Sequence, residues 1–166
     1  VGIRKDQYGA FAYPDDKPGS AKTVGETLYD LMAENKWAGA KRWAEQADRI
    51  APTLVGGSKK HGGPDLGPTR ARNAWAELGI DGRGIADAAP TPDFEGMPRL
   101  TSRMMARIQG FPDTWTFGSR KTVACRMIGN AFPPPVAKAV GEQIKECLAH
   151  GCADSQSKIS LSRAVI

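Results

Sequence analysis

The chain has 166 residues, a net charge of +5 and a sequence pI of about 9.2. Its length predicts one domain with a moderate core, and 40% hydrophobic with 25% charged residues exclude a disordered chain. No apolar run reaches the roughly 18 residues of a membrane span. For a basic protein of this composition, nucleic acid is the first class of partner to consider.

The cysteines and histidines do not form a metal or disulfide pattern. Cys125, Cys147 and Cys152 are odd in number and contain no CxxC pair, and neither His61 nor His150 completes a zinc spacing with them. We therefore expect no metal site and a reducing, cytoplasmic location. Frequent alanine, glycine and arginine suggest a bacterial or phage source.

Short elements separated by turns make up the first third of the chain. Residues 1–5 (VGIRK) predict an edge strand whose partner strand is missing. Thr23 and Glu26 then predict a capping box at the start of a helix over about 24–35. A second helix is predicted over about 39–49.

Glycine and proline break residues 51–98 into turns around one predicted helix, roughly 70–78. Loop-rich segments of this length are functional or disordered, and apolar anchors such as Trp75 favour an ordered one. Basic side chains sit among the glycines, where the backbone can approach a duplex closely and cations neutralise phosphate. A solvated loop is the alternative interpretation. The candidate DNA-binding residues are Lys59, Lys60, His61, Arg70 and Arg72.

The remainder predicts two helices. The first spans about 101–108 and is ended by Gly110. A turn at 129–130 leads into three prolines that start the second helix, with Gly151 as its expected end and a polar tail after it. An apolar stripe marks one face of this helix: Val136, Val140, Ile144, Cys147 and Leu148.

Two linked motifs in this part resemble those of DNA (cytosine-5) methyltransferases. Residues 99–113 (RLTSRMMARIQGFPD) are similar to the ninth motif of that family and residues 129–134 (GNAFPP) to the tenth, in matching order and separation. The opening VGIRKD resembles the strand after the family's Gln-x-Arg-x-Arg motif. Met104 stands where the family usually has Glu, so we expect the capping box of the Thr101 helix to lose one hydrogen bond, about 1 kcal/mol at most.

The resemblance implies an α+β fold, with a small, loop-rich mixed recognition lobe and C-terminal helices. This would be the remnant of an α/β S-adenosylmethionine-dependent methyltransferase fold. The implied divisions are an edge strand of the catalytic domain (1–6), a target recognition region (7–98), a ninth-motif segment (99–128), a tenth-motif helix of the catalytic domain (129–150) and a polar tail (151–166).

The resemblance also implies methyl transfer from S-adenosylmethionine to C5 of a cytosine flipped out of double-stranded DNA. The family's nucleophile is a cysteine thiolate in a Pro-Cys motif, and no cysteine of this chain follows a proline. We therefore expect a C-terminal fragment without a catalytic residue, inactive alone. Its partners would be DNA and a missing N-terminal catalytic half, or a second chain that buries the last helix.

Individual site residues follow from the same motifs. Asn130 and Ala131 are the expected cofactor-side residues, although the fragment alone should bind S-adenosylmethionine weakly or not at all. Arg99, Arg103 and Arg107 are expected to be structural, with phosphate contact as the alternative.

Two other functions stay open. The chain could be a stand-alone DNA-binding module without catalysis. It could also be a nucleotide- or phosphate-binding enzyme that uses residues 56–60 (GGSKK), although this run lacks the P-loop spacing.

Overall fold

The computed structural model describes residues 2–4, 11–15, 21–55, 64–118 and 120–162, the last thirteen of these as backbone only. Contacts divide the chain into two compact units, Val1–Pro18 with Pro134–Ile166, and Gly19–Pro133. Six helices occur within the described ranges: α1 (Val24–Met32), α2 (Ala40–Gln46), α3 (Thr69–Ala76), α4 (Ser102–Ile108), α5 (Lys121–Asn130) and α6 (Pro134–Ser162).

The described part of the chain is rich in helix and poor in strand, so it shows the helices of the expected α+β fold, while the mixed lobe and its origin in an α/β fold stay predictions. Its extended pairing is one isolated parallel bridge, between Ala86 and Thr101. Residues 2–4 belong to no strand, and Val1 and Lys5 lie outside the described residues. A strand requires a neighbour to complete its hydrogen-bond ladder, and the described residues supply none beside 2–4.

The predicted capping box starts α1 and is confirmed. The Thr23 hydroxyl accepts from the Glu26 backbone N–H at 3.3 Å, and the Glu26 carboxylate accepts from the Thr23 N–H at 2.9 Å. The helix ends at Met32 rather than near residue 35.

The end of α2 satisfies donors at the start of α1 that have no partner within their own helix. The N–H groups of Val24 and Gly25 donate to the carbonyl oxygens of Arg49 and Ala47, each at 2.9 Å. Because the first N–H groups of a helix lack intrahelical acceptors, these bonds fix α1 against the end of α2.

Gly110 ends α4 as predicted. It adopts φ 85°, a left-handed conformation that glycine accepts without steric cost. Its N–H donates to Arg107 O at 2.9 Å, and the N–H of Phe111 donates to Ala106 O at 3.0 Å. This pair of bonds is a Schellman motif, which satisfies carbonyl groups that the helix leaves open.

The hydrophobic core of the Gly19–Pro133 unit joins these helices with the irregular segments between them. Trp75, Leu66, Ile80 and Leu54 are buried, as expected of apolar anchors of the loop-rich region, whereas Val55, expected to be a fifth anchor, is exposed. Helices α1 and α2, α1 and α4, and α4 and α5 are the packed pairs.

Helix α6 runs further than predicted, since it continues through Gly151 to Ser162. Glycine inside a helix costs only about 1 kcal/mol relative to alanine and keeps its backbone donor, so Gly151 need not end the helix. Residues 163–166 lie outside the described part. Cys147 is buried on the predicted stripe, whereas Val136 and Leu148 are exposed. Burial of that stripe by another chain stays a prediction.

Candidate functional site

The side chain of Gln109 joins the segment of the ninth-motif resemblance to that of the tenth. Gln109 is the C-cap of α4, and its Nε2 donates to the carbonyl oxygens of Ile128 and Ala131, both at 3.1 Å. The last carbonyls of a helix lack intrahelical donors. One amide therefore holds the end of α5 and the residue that follows it.

The expected turn at 129–130 was wrong, because both residues belong to the last turn of α5. Ala124, Cys125 and Ile128 form the buried face of this helix, and burial of that face carries the helix on through Gly129 and Asn130. The chain leaves the helix at Ala131, which is extended at φ −71° and ψ 141°.

Asn130 and Ala131 occupy different environments at this helix end. Asn130 is exposed, and its amide has no hydrogen-bond partner among the residues that the structure describes. Ala131 is half-buried beside the core. A free amide next to an extended backbone offers donors and acceptors to a polar ligand, and this fits the amino-acid end of S-adenosylmethionine.

Arg107 is the best-anchored of the three arginines in residues 99–107. Its guanidinium donates to Thr27 O at 3.2 Å and pairs with the carboxylates of Asp30 and Asp113. The bond to Asp113 raises the pKa of Arg107, and the same bond lowers the pKa of Asp113. The side chain is 19% exposed. Residues from α1 and from the segment after α4 thus meet on one guanidinium.

Arg103 and Arg99 also have acidic partners. Arg103 pairs with Glu34 at 3.3 Å and lies 3.7 Å from Asp113, with half of its side chain exposed. Arg99 Nε donates to Asp81 Oδ2 at 3.0 Å. All three arginines therefore make ion pairs within the unit.

Asp81 is a buried carboxylate that binds two arginines. Its Oδ1 accepts from the backbone N–H of Arg83 at 3.1 Å and from Arg83 Nε at 2.8 Å, and its Oδ2 accepts from Arg83 Nη2 at 3.2 Å and from Arg99. The side-chain bonds from Arg83 hold the pKa of Asp81 well below its usual range, against the opposing effect of burial.

The predicted DNA-binding residues divide into a described and an undescribed group. Arg70 and Arg72 lie on the first turn of α3, where Arg70 is exposed and makes no ion pair within the described ranges. Arg72 is half-buried and donates to Thr69 Oγ1 at 3.2 Å. Lys59, Lys60 and His61 lie outside the described residues.

Sequence reasoning missed the two connecting residues of this region, Asp81 and Gln109. The Asp-Gly-Arg-Gly run at 81–84 signals a turn. The turn signal does not show that Asp81 is buried or that it binds Arg83 and Arg99, because both depend on tertiary contacts. For Gln109, the partners are backbone carbonyls that carry no residue-type signal.

Other classes of site are not seen in the described part. It contains no group of three or more His, Cys, Asp or Glu residues able to hold a metal ion. Cys125 and Cys147 are both buried, and the Cys125 thiol donates to the Asp65 carbonyl oxygen at 3.8 Å. No helix among those residues combines the length and apolar character needed to cross a membrane.

Comparison with known proteins decides the family. The model of the C-5 cytosine-specific DNA methylase family matches residues 1–146. The chain belongs to this family. It is 60% identical over 141 residues to the type II methyltransferase M.NaeI of Lentzea aerocolonigenes, an alignment that covers 83% of the chain and 34% of that protein.

Two further relatives extend the comparison. The type II methyltransferase M.NgoMIV of Neisseria gonorrhoeae is 47% identical over 151 residues, which cover 89% of the chain and 47% of that protein. The DNA (cytosine-5)-methyltransferase 1 of Mus musculus is 47% identical over 58 residues, or 35% of the chain and 4% of its own length. The chain thus spans between a third and a half of the length of the bacterial relatives it matches.

Proposed function

We propose that this chain recognises DNA and completes the cofactor site of a type II DNA cytosine-5 methyltransferase. The enzyme would transfer a methyl group from S-adenosylmethionine to C5 of a cytosine flipped out of the duplex. Membership of the family over residues 1–146, with 60% identity to a type II methyltransferase, is the observation that carries this proposal.

The recognition part of the proposal covers residues 7–98. Arg70 and Arg72, on the first turn of α3, supply two of the cations for DNA phosphates, and Arg70 has no competing acid in the described ranges. Lys59, Lys60 and His61, which lie outside the described residues, are proposed as further DNA-binding residues. Arg99, Arg103 and Arg107 would hold this region on α4 through the ion pairs described above.

The cofactor part rests on the end of α5. Asn130 and Ala131 would hold the polar amino-acid end of S-adenosylmethionine, and Gln109 would keep them in place. When bound, the cofactor would supply an electrophilic methyl group. This chain contributes binding and orientation, because none of its three cysteines stands in a Pro-Cys motif.

The proposed whole enzyme therefore needs a catalytic half that supplies the thiolate and the remaining walls of the cofactor site. In it, residues 1–6 and α6 would join the α/β methyltransferase sheet, and the exposed Val136 and Leu148 would be covered. We place this enzyme in the bacterial cytoplasm, as two bacterial relatives and the cysteine usage favour.

Complementation tests the proposal. The chain is mixed with the N-terminal part of the 60%-identical relative, and transfer of labelled methyl groups to duplex DNA is measured. We expect transfer from the mixture and none from either part alone. If the mixture stays inactive while the chain alone binds duplex DNA tightly, a stand-alone binding module is the better account.

A further inference from the structure

Three cationic groups and the stem of a fourth basic residue, Arg72, meet at residues 81–87 of the Gly19–Pro133 unit, which we term the Asp81 turn. Arg83 belongs to the turn itself, and Lys121 of α5 donates to Ile85 O at 3.4 Å and to Asp87 at 2.9 Å. Arg72 and Arg99 approach through the glycines of the turn. A Cβ placed on Gly82 would lie 3.2 Å from Arg72 Cα, and one on Gly84 would lie 3.2 Å from Arg99 Nη1.

Two of these guanidinium groups are held in place yet open to solvent. The Arg83 side chain is 71% exposed and the Arg99 side chain 48%, whereas Asp81 between them is only 10% exposed. Arg99 uses Nε alone on Asp81, so both of its Nη groups have no acceptor within the described part of the chain. Arg83 donates to Asp81 through Nε and Nη2, so its Nη1 also has no acceptor within the described part of the chain.

The two sides of this cluster differ in exposure, since the carboxylate is buried and both cations face solvent. Ion pairs with solvent-exposed cations contribute little to stability, so the exposed guanidinium groups are available for a second role. One carboxylate pairs with two guanidinium groups, so the cluster carries a net positive charge on its solvent-exposed side. A long side chain that is already held in place before a ligand arrives also lowers the entropic cost of binding.

We propose, resting on the proposed function, that the Asp81 turn is a second DNA contact, in which the guanidinium groups of Arg83 and Arg99 bind backbone phosphate. Asp81 is the positioning residue for both. Glycines at 82 and 84 leave room for Arg72 and Arg99 to pack against the turn, so Arg99 and Arg83 can lie close enough to share Asp81. Arg72 links this surface to the first turn of α3, where Arg70 also lies.

The test measures binding of the 166-residue chain to a fluorescently labelled duplex across a salt series. We expect Arg83→Ala to weaken binding by about threefold to tenfold and to lower the log–log salt slope by about 1, while Arg83→Lys largely keeps the slope. Arg49→Ala is the matched control. It removes the same charge from an exposed side chain that pairs with Glu77 at the end of α3 instead, at 3.3 Å.

A pair of acidic variants separates positioning from net charge. Asp87→Asn and Asp81→Asn each remove one negative charge, so charge alone would raise DNA affinity in both. We expect the rise for Asp87→Asn, whose side chain is 83% exposed, and a fall for Asp81→Asn, because the two arginines lose their anchor. Thermal melts show whether each variant is folded at the temperature of the binding measurement. If the Asp81→Asn chain is unfolded there, the Arg83 variants decide the proposal.

The outcomes also separate this inference from the proposed function. If Arg83→Ala binds like Arg49→Ala while Arg70→Ala and Arg72→Ala bind more weakly, the inference is wrong and the proposed function stands. If the unaltered chain does not bind duplex DNA at all, both are wrong.

Discussion

The side-chain amide of Gln109 lies 3.1 Å from the backbone carbonyl oxygen of Ala131, across twenty-two residues of chain. The same Nε2 reaches the carbonyl oxygen of Ile128. The two segments that resemble the ninth and tenth motifs of the family are thereby in direct contact. Because α4 also carries Arg103 and Arg107, this contact connects the recognition region with the residues proposed to face the cofactor.

Replacement of Gln109 by leucine tests that connection. Loss of the amide leaves two carbonyl groups without this donor, so we expect a loss of about 1–3 kcal/mol in the free energy of unfolding, measured with urea. In the complemented enzyme, the KM for S-adenosylmethionine should rise more than kcat falls. Gln46→Leu is the control, since Gln46 is exposed and makes no hydrogen bond among the described residues. Equal effects from the two variants would contradict the connecting role.

The stability of the Gly19–Pro133 unit should depend on pH through Asp81. Its pKa is depressed in the folded state, so its contribution to stability is present above the unfolded pKa near 4 and is lost as the pH falls below that value. Asp81→Asn should therefore cost about 1–3 kcal/mol at neutral pH and progressively less in acid. Urea denaturation at several pH values checks this, and a pH-independent difference would show that the charge of Asp81 is not responsible.

Arg107 and Arg103 should differ sharply in their effect on stability although both form ion pairs. Arg107→Met removes a largely buried guanidinium that pairs with two acids and one carbonyl, and we expect a loss of about 2–4 kcal/mol. Arg103→Met removes a half-exposed one and should cost about 1 kcal/mol or less. Denaturation midpoints of the two variants give the comparison. Similar losses would mean that burial does not decide the strength of these pairs.

Gly25 sits where α1 meets α2 at closest range. A Cβ at this position would lie 2.1 Å from the carbonyl oxygen of Ala44, and because that atom is backbone it cannot rotate away. Gly25→Ala should therefore destabilise the unit by about 2 kcal/mol or more. Gly141→Ala is the control on α6, where no atom lies within 4 Å of such a Cβ, and it should be neutral or stabilising by up to about 1 kcal/mol. Thermal unfolding followed by circular dichroism distinguishes them.

Local signals in the sequence predicted the start of α1 and the end of α4, but not the ends of α1 and α6. The Thr23–Glu26 box and the Gly110 stop depend on a few neighbouring residues, and both are present as expected. The edge strand over residues 1–5 stays a prediction, since strand formation depends on a neighbour and the described residues supply none beside 2–4. Helix α5 was not predicted from the sequence. Its burial against α4 outweighs the low helix propensity of Gly129 and Asn130 at its end.

Met104 shows how tertiary packing changes a local rule. The sequence led us to expect that methionine would leave the capping box of α4 open. The structure instead places its Sδ 3.4 Å from the Thr101 backbone nitrogen, where it accepts the reciprocal hydrogen bond of the capping box, while the residue is 1% exposed. Sulfur is a weak acceptor, but burial holds it there. The sequence could likewise indicate candidate site residues that lie within a family motif. It could not indicate the cluster of Asp81, Arg83 and Arg99, which tertiary contacts create.

The most direct measurement of the central claim is methyl transfer by the complemented enzyme, with the Gln109→Leu and Arg83→Ala chains compared with the unaltered one. We expect the unaltered mixture to label duplex DNA. We also expect Gln109→Leu to raise the KM for S-adenosylmethionine and Arg83→Ala to raise the KM for DNA. Absence of methyl transfer from a mixture in which both parts are folded and bound to each other would contradict the assignment of this chain to the recognition and cofactor-completing part of a cytosine-5 methyltransferase.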